Sequence, residues 1–124
     1  MAKFAPSIEK ITDQVFLVLA YDDENHRDIR NSSLDGHLEF IEQNYERYLT
    51  CGPLRLVDKK KIIGSFFLVT SENENELRSF LNNDPYFNRG LYGKLRILNA
   101  TPAAGSWMGG VIWDNAEEIR PNAS

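Results

Sequence analysis

Residues 15 to 21 read Val-Phe-Leu-Val-Leu-Ala-Tyr, an unbroken apolar run of strand-favouring side chains that the polar cluster Asp22-Asp23-Glu24-Asn25 stops abruptly. Successive side chains of a strand point to opposite faces, so a strand that is apolar at every position belongs in the middle of a sheet covered on both sides. Ile62 to Val69, Ile-Ile-Gly-Ser-Phe-Phe-Leu-Val, has the same character. Two such strands require a two-sided sheet, and the rest of the chain must supply its cover.

The intervening segments are helical or turn-like. From Ser33 to about Leu49 the apolar residues Leu34, Leu38, Ile41, Tyr45, Tyr48 and Leu49 recur at helical spacing, with Glu39, Glu42, Gln43 and Glu46 between them. Ser32 or Ser33 is the expected N-cap, and Gly52-Pro53 the expected stop. Leu54 to Val57 and Ile62 to Thr70 form a hairpin across the solvated turn Asp58-Lys59-Lys60-Lys61. Ser71 with Glu74 has the spacing of a capping box, and Leu77, Phe80 and Leu81 provide the stripe of a second, shorter helix. It must end before Pro85, because the residue preceding a proline is pushed out of helical geometry. A last strand runs from about Tyr92 to Asn99.

The order β-α-β-β-α-β predicts an α+β, ferredoxin-like fold with both helices on one face of a four-stranded antiparallel sheet. Two helices cover one face only, so a second subunit is the expected cover for the other, giving a homodimer. Residues 15–100 are the core domain, residues 1–14 an N-terminal extension in which Phe4, Ile8 and Ile11 suit a helical turn, and residues 101–124 a C-terminal arm. Trp107 to Trp113 holds two tryptophans and two aliphatics between glycines, and is expected to dock on the core or the partner subunit instead of standing in water.

Composition excludes several functions. Fourteen basic against eighteen acidic residues, a formal net charge of −4, argue against a nucleic-acid partner. No apolar stretch approaches the roughly 20 residues of a membrane span, and the N-terminus lacks the pattern of a signal peptide. The single Cys51 forms no intrachain disulfide and fits a cytoplasmic location. Two widely spaced histidines and one cysteine make no metal site, and Gly105 to Gly110 lacks the strand-then-helix context of a phosphate loop, so no cofactor is expected.

His37 is the leading candidate for chemistry. It shares a helix face with Leu34 and Ile41, so it points toward the sheet or its edge, where a group titrating near neutrality suits acid-base work. A partly buried histidine with one structural hydrogen bond satisfies the same pattern. Asp84 is held extended before Pro85 and beside Tyr86 and Phe87, aromatics suited to wall a pocket, although a turn-forming aspartate that caps local amides would look identical. Paired, the carboxylate would fix the imidazole tautomer. His26, in the polar loop, is expected in solvent. Cys51, placed at a helix end, is expected as an inert small residue.

The chain resembles the YciI-like (YCII-related) family of small ferredoxin-like proteins over about Val15 to Ala100. The resemblance rests on the opening strand, Gly-His-Leu-Glu-Phe around His37, Cys-Gly-Pro-Leu at Cys51 to Leu54, Ile-Gly-Ser at Ile63 to Ser65 and Asn-Asp-Pro-Tyr-Phe at Asn83 to Phe87. It implies a dimeric α+β barrel and a site built on His37 and Asp84, with Ser65 lining the same pocket and Arg30 binding an anionic substrate or standing in solvent. It also implies kinship with dehydrochlorinases of chlorinated aromatics, and with lactone isomerases and small monooxygenases of the same fold. Two functions follow as expectations. One is a cofactor-independent enzyme whose His37 moves a proton on a small cyclic or aromatic substrate, with Tyr86 and Phe87 as walls. The other is a non-catalytic module that holds a small metabolite.

Overall fold

The computed structural model describes residues 13–118 and 120. The chain divides into two compact units, one of residues 13–100 and one containing the residues from 101 onward. The helical turn expected around Phe4, Ile8 and Ile11 lies outside the described residues.

The first unit opens with strand β1 (Gln14–Asp22), a 3-10 turn (Glu24–His26) and helices α1 (Asp28–Ser32) and α2 (Leu34–Asn44). Strands β2 (Tyr48–Arg55) and β3 (Ile62–Ser71) form the hairpin, followed by α3 (Glu74–Leu81), α4 (Pro85–Asn88) and β4 (Tyr92–Asn99). All pairings are antiparallel in the order β2-β3-β1-β4, which is the ferredoxin-like arrangement the segment pattern predicts.

The two apolar runs occupy the two central strands. Phe16, Val18 and Ala20 lie opposite Val69, Phe67 and Ser65 and face the core, where Leu77, Phe80 and Leu81 of α3 join them. The alternate residues Leu17 and Leu19 lie opposite Leu68 and Phe66, and all four are only partly buried. Leu98, opposite Leu17 on β4, is 40% exposed. The backbones of β1 and β3 approach closely at Gly64, where an added Cβ would stand 2.3 Å from the Ala20 carbonyl oxygen.

Three local expectations are corrected. The first long helix ends at Asn44, not near Leu49, and Tyr48–Arg55 is a strand, so Gly52-Pro53 lies inside β2 and terminates nothing. Tyr45, Tyr48 and Leu49 keep helical spacing, but tertiary contacts win. The Asn44 amide donates to the Phe40 carbonyl, while Arg47 donates to the Thr70 carbonyl and pairs with Glu76, fastening the chain to β3. Pro53 is tolerated because β2 is an edge strand, where one N–H goes unused by the ladder. Ser33 is the N-cap residue of α2, but its hydroxyl makes no cap bond and accepts from Arg89 instead. The cap of α3 is Asn73, whose side chain accepts from the Glu76 N–H, and Ser71 donates to the Glu76 carboxylate.

The polar segment after Asp22 is not all loop, since α1 forms within it. In the second unit, β5 (Ala104–Gly105) and β6 (Gly110–Val111) pair as a small hairpin whose turn carries Trp107, 88% exposed. Among the described residues no helix is long and apolar enough to cross a membrane.

Candidate active site

Asp84 heads α4, and the chain needs it there. Its backbone is extended, as a residue before proline must be, Pro85 fills the first helical position, and the carboxylate accepts the Tyr86 N–H at 2.9 Å. Asp84 both caps α4 and faces His37. The same carboxylate, fully buried, faces His37 of α2, with Nδ1 2.9 Å from Oδ1 and 2.8 Å from Oδ2. An ionised carboxylate only accepts, so Nδ1 carries the proton and donates it, leaving Nε2 of a neutral ring as the acceptor. The His37 side chain is 13% exposed.

Tyr86 completes this corner. Its ring lies parallel to the His37 imidazole, with centroids 3.8 Å apart and an interplanar angle of 8°. The phenol donates to the Arg30 carbonyl at 2.9 Å. Tyr86 is 1% exposed.

Arg30, in α1, is neither solvated nor waiting for an anion. Its guanidinium makes a two-pronged bond to Asp22, Nε to Oδ2 at 2.8 Å and Nη2 to Oδ1 at 2.7 Å, with side-chain exposures of 14% and 2%. Burial alone would favour loss of its proton, but the bonds to Asp22 and that residue's charge outweigh burial and hold the guanidinium above its ordinary pKa. Ser65, opposite Ala20 on β3, is buried and accepts the Tyr92 phenol at 2.8 Å and the Arg30 Nη2 at 3.4 Å. Burial pushes the Tyr92 and Tyr86 phenols up, so both remain protonated donors at neutral pH.

The structure therefore brings His37, Asp84, Tyr86, Arg30 and Ser65 into one connected cluster, and adds Asp22 and Tyr92, which sequence reasoning missed. Asp22 carried one readable signal, its place at the end of an apolar strand eight residues before Arg30. Tyr92 carried none beyond opening a strand. Phe87 stands apart from the bonds of this network. It packs on Phe67 and Tyr92 and lines an open cleft of about 410 Å³ with Leu81, Leu95 and Arg78, whose lining includes neither His37 nor Asp84.

Cys51 is on β2 and not at a helix end. Burial first, and then the charge of Asp84, push its thiol up, which keeps it inert by a different route from the one expected. His26, half-exposed, is also not free in solvent, because its Nδ1 lies 3.1 Å from the Gly90 carbonyl. Among the described residues no group of three or more His, Cys, Asp or Glu could hold a metal ion.

A four-stranded antiparallel sheet with helices on one face, holding a histidine against a buried aspartate, defines a small α+β domain. The YCII-related domain matches residues 15–101, and the chain belongs to that family. A search of curated proteins finds no match. Among solved structures the chain is similar to 5-chloro-2-hydroxyhydroquinone dehydrochlorinase from Burkholderia phenoliruptrix AC1100, in complex with 2,5-dihydroxybenzoquinone. The TM-score is 0.63 at 25% identity, over 74% of this chain and 96% of the other.

Proposed function

We propose that this protein is a cofactor-independent enzyme in which His37 takes a proton from a small hydroxylated cyclic or aromatic substrate, promoting elimination of a leaving group such as chloride. The observation that carries the proposal is the His37 Nδ1 to Asp84 bond, because it commits the proton to the buried side of the ring and leaves the Nε2 lone pair as the base. In the elimination His37 removes a proton from the substrate. On a chlorinated hydroquinone the step runs through the keto tautomer, in which the chlorine-bearing carbon is tetrahedral. His37 takes a hydroxyl proton, the oxygen's electron pair forms a carbonyl, the ring double bond shifts onto the chlorine-bearing carbon and chloride departs with its own pair. The products are a quinone, chloride and a protonated His37, and no oxidant or reductant is consumed. Elimination is favoured over isomerisation by the likeness to a dehydrochlorinase. Asp84 is fully buried and acts through His37 as a positioning residue that also stabilises the imidazolium.

The Arg30–Asp22 pair supports a phenolic substrate over a carboxylate. A guanidinium already neutralised in two-pronged fashion has little charge to offer a carboxylate. Partial exposure of Leu17, Leu19, Phe66 and Leu68 supports a homodimer built on that sheet face. Residues 101–124 are proposed as an arm that docks on the core or the partner. Their removal is expected to change oligomer size.

The test is chloride release from 5-chloro-2-hydroxyhydroquinone by wild type and His37→Gln, with the affinity for 2,5-dihydroxybenzoquinone measured beside it. Turnover is expected to fall by about 10²-fold or more in the variant while affinity changes little. A variant that binds but turns over at the wild-type rate would overturn the assignment. Binding by the wild type without turnover of any chlorinated hydroquinone would favour a metabolite-binding module.

A further inference from the structure

Tyr86 makes an independent contact with each member of the pair. Its backbone N–H donates to Asp84 Oδ1, and its ring covers one face of the His37 imidazole at 3.8 Å. The bond at Nδ1 fixes one atom of the imidazole but leaves the ring free to tilt about that contact, and tilt decides where Nε2 points. A parallel ring at van der Waals distance removes that freedom.

Tyr86 is itself held on several sides. Its phenol is tied to the Arg30 carbonyl at 2.9 Å, and the Tyr92 ring meets it edge-on at 6.2 Å and 88°. The Arg30 guanidinium stands over the same ring at 5.1 Å from its centroid. Arg30 is in turn clamped by the buried Asp22, so the sequence of supports is Asp22, Arg30, Tyr86, His37.

We infer that Tyr86 is a positioning residue for proton transfer, aiming His37 Nε2 through ring stacking while its backbone orients the Asp84 carboxylate. The inference rests on the reading of His37 as the base. The aromatic face also lies where positive charge develops as His37 accepts a proton, an arrangement that favours the imidazolium. The stack is the working contact, and the phenol oxygen serves to hold the ring.

Four variants separate these roles. Tyr86→Phe retains the stack and is expected to keep kcat within about threefold of wild type. Tyr86→Leu and Tyr86→Met remove the ring and are expected to lower kcat about tenfold or more with KM little changed, as misdirection of a reacting atom does. Tyr86→Trp is expected to restore part of the loss. Two measurements run in parallel: chloride release from 5-chloro-2-hydroxyhydroquinone, and long-range proton–nitrogen NMR of the His37 ring, which needs no substrate. Wild type and Tyr86→Phe are expected to show one sharp set of His37 ring signals, and the ringless variants exchange-broadened ones, with the Nδ1–H proton kept in all of them because Asp84 is unchanged. Either ringless variant, folded, with wild-type kcat or with an undisturbed His37 ring spectrum would overturn the inference. Should both ringless variants fail to fold, a Tyr86→Phe or Tyr86→Trp protein with a disordered His37 spectrum would do so. Retained activity in His37→Gln would instead overturn the underlying assignment of the base.

Discussion

Replacing Asp84 by Asn separates what this residue does for stability from what it does for chemistry. Asparagine caps helices as well as aspartate, and its oxygen can keep the 2.9 Å bond from the Tyr86 N–H, so α4 retains its start. That bond fixes which way the amide faces. With oxygen at the Oδ1 position, the NH2 group takes the place of Oδ2, 2.8 Å from His37 Nδ1, and must donate to it. Nδ1 then has to be the acceptor, and the ring proton moves to Nε2, the atom proposed as the base. The substitution also removes a fully buried charge, which offsets part of the lost charge-assisted bond. A stability change within about 1 kcal/mol is expected by denaturant unfolding, whereas turnover is expected to fall by about 10²- to 10⁴-fold, as loss of the correct tautomer does in hydrolase triads. Asp84→Ala is the contrasting control. It loses the cap and so strands the buried Tyr86 N–H, at about 1–3 kcal/mol in all, so it is expected to be both inactive and less stable. A stable Asp84→Asn protein with wild-type turnover would refute the role given to the carboxylate.

Other predictions follow from single contacts. Gly64→Ala drives a Cβ to 2.3 Å from the Ala20 carbonyl oxygen on the neighbouring strand, so a loss of about 2 kcal/mol or more is expected in urea unfolding, and an unchanged midpoint would contradict the register. The Tyr48 hydroxyl is buried without a hydrogen-bond partner among the described residues, so Tyr48→Phe is expected to leave stability unchanged or to raise it by up to about 1 kcal/mol. The Cys51 thiol, pushed up by burial and Asp84, is expected to react slowly with a disulfide reagent at pH 8, and rapid labelling of the folded protein would contradict its placement. Glu76 is held below the ordinary carboxylate range by its bond to Arg47, so its contribution to stability is full above that range and lost as pH falls through its folded value. Glu76→Gln is therefore expected to flatten the acid limb of stability against pH.

The parts of the fold that could be read from the sequence are those in which one local rule and the tertiary demand agree. Val15 to Tyr21 and Ile62 to Val69 are apolar at every position and became the two inner strands, and Tyr92–Asn99 was delimited as observed. The boundary at Asn44 was hidden because Tyr45, Tyr48 and Leu49 fit a helix, and only the distant partners Thr70 and Glu76 of Arg47 show why the chain turns there. At the site, His37 and Asp84 were legible from helix phase and the proline rule, which are local. The Arg30–Asp22 bond was not, because it depends on β1 ending beside α1. Nor was the burial of Tyr86, since an aromatic after Asp-Pro can equally wall an opening.

The claim that a ring-shaped ligand meets Nε2 of His37 is tested most directly by following both histidine rings by NMR while 2,5-dihydroxybenzoquinone is added. His37 Nε2 is expected to shift with saturation and its Nδ1–H to persist, while half-exposed His26 stays still and serves as the internal control. A His37 ring that is unmoved at millimolar ligand, or one that moves no more than His26, would contradict a site built on this pair.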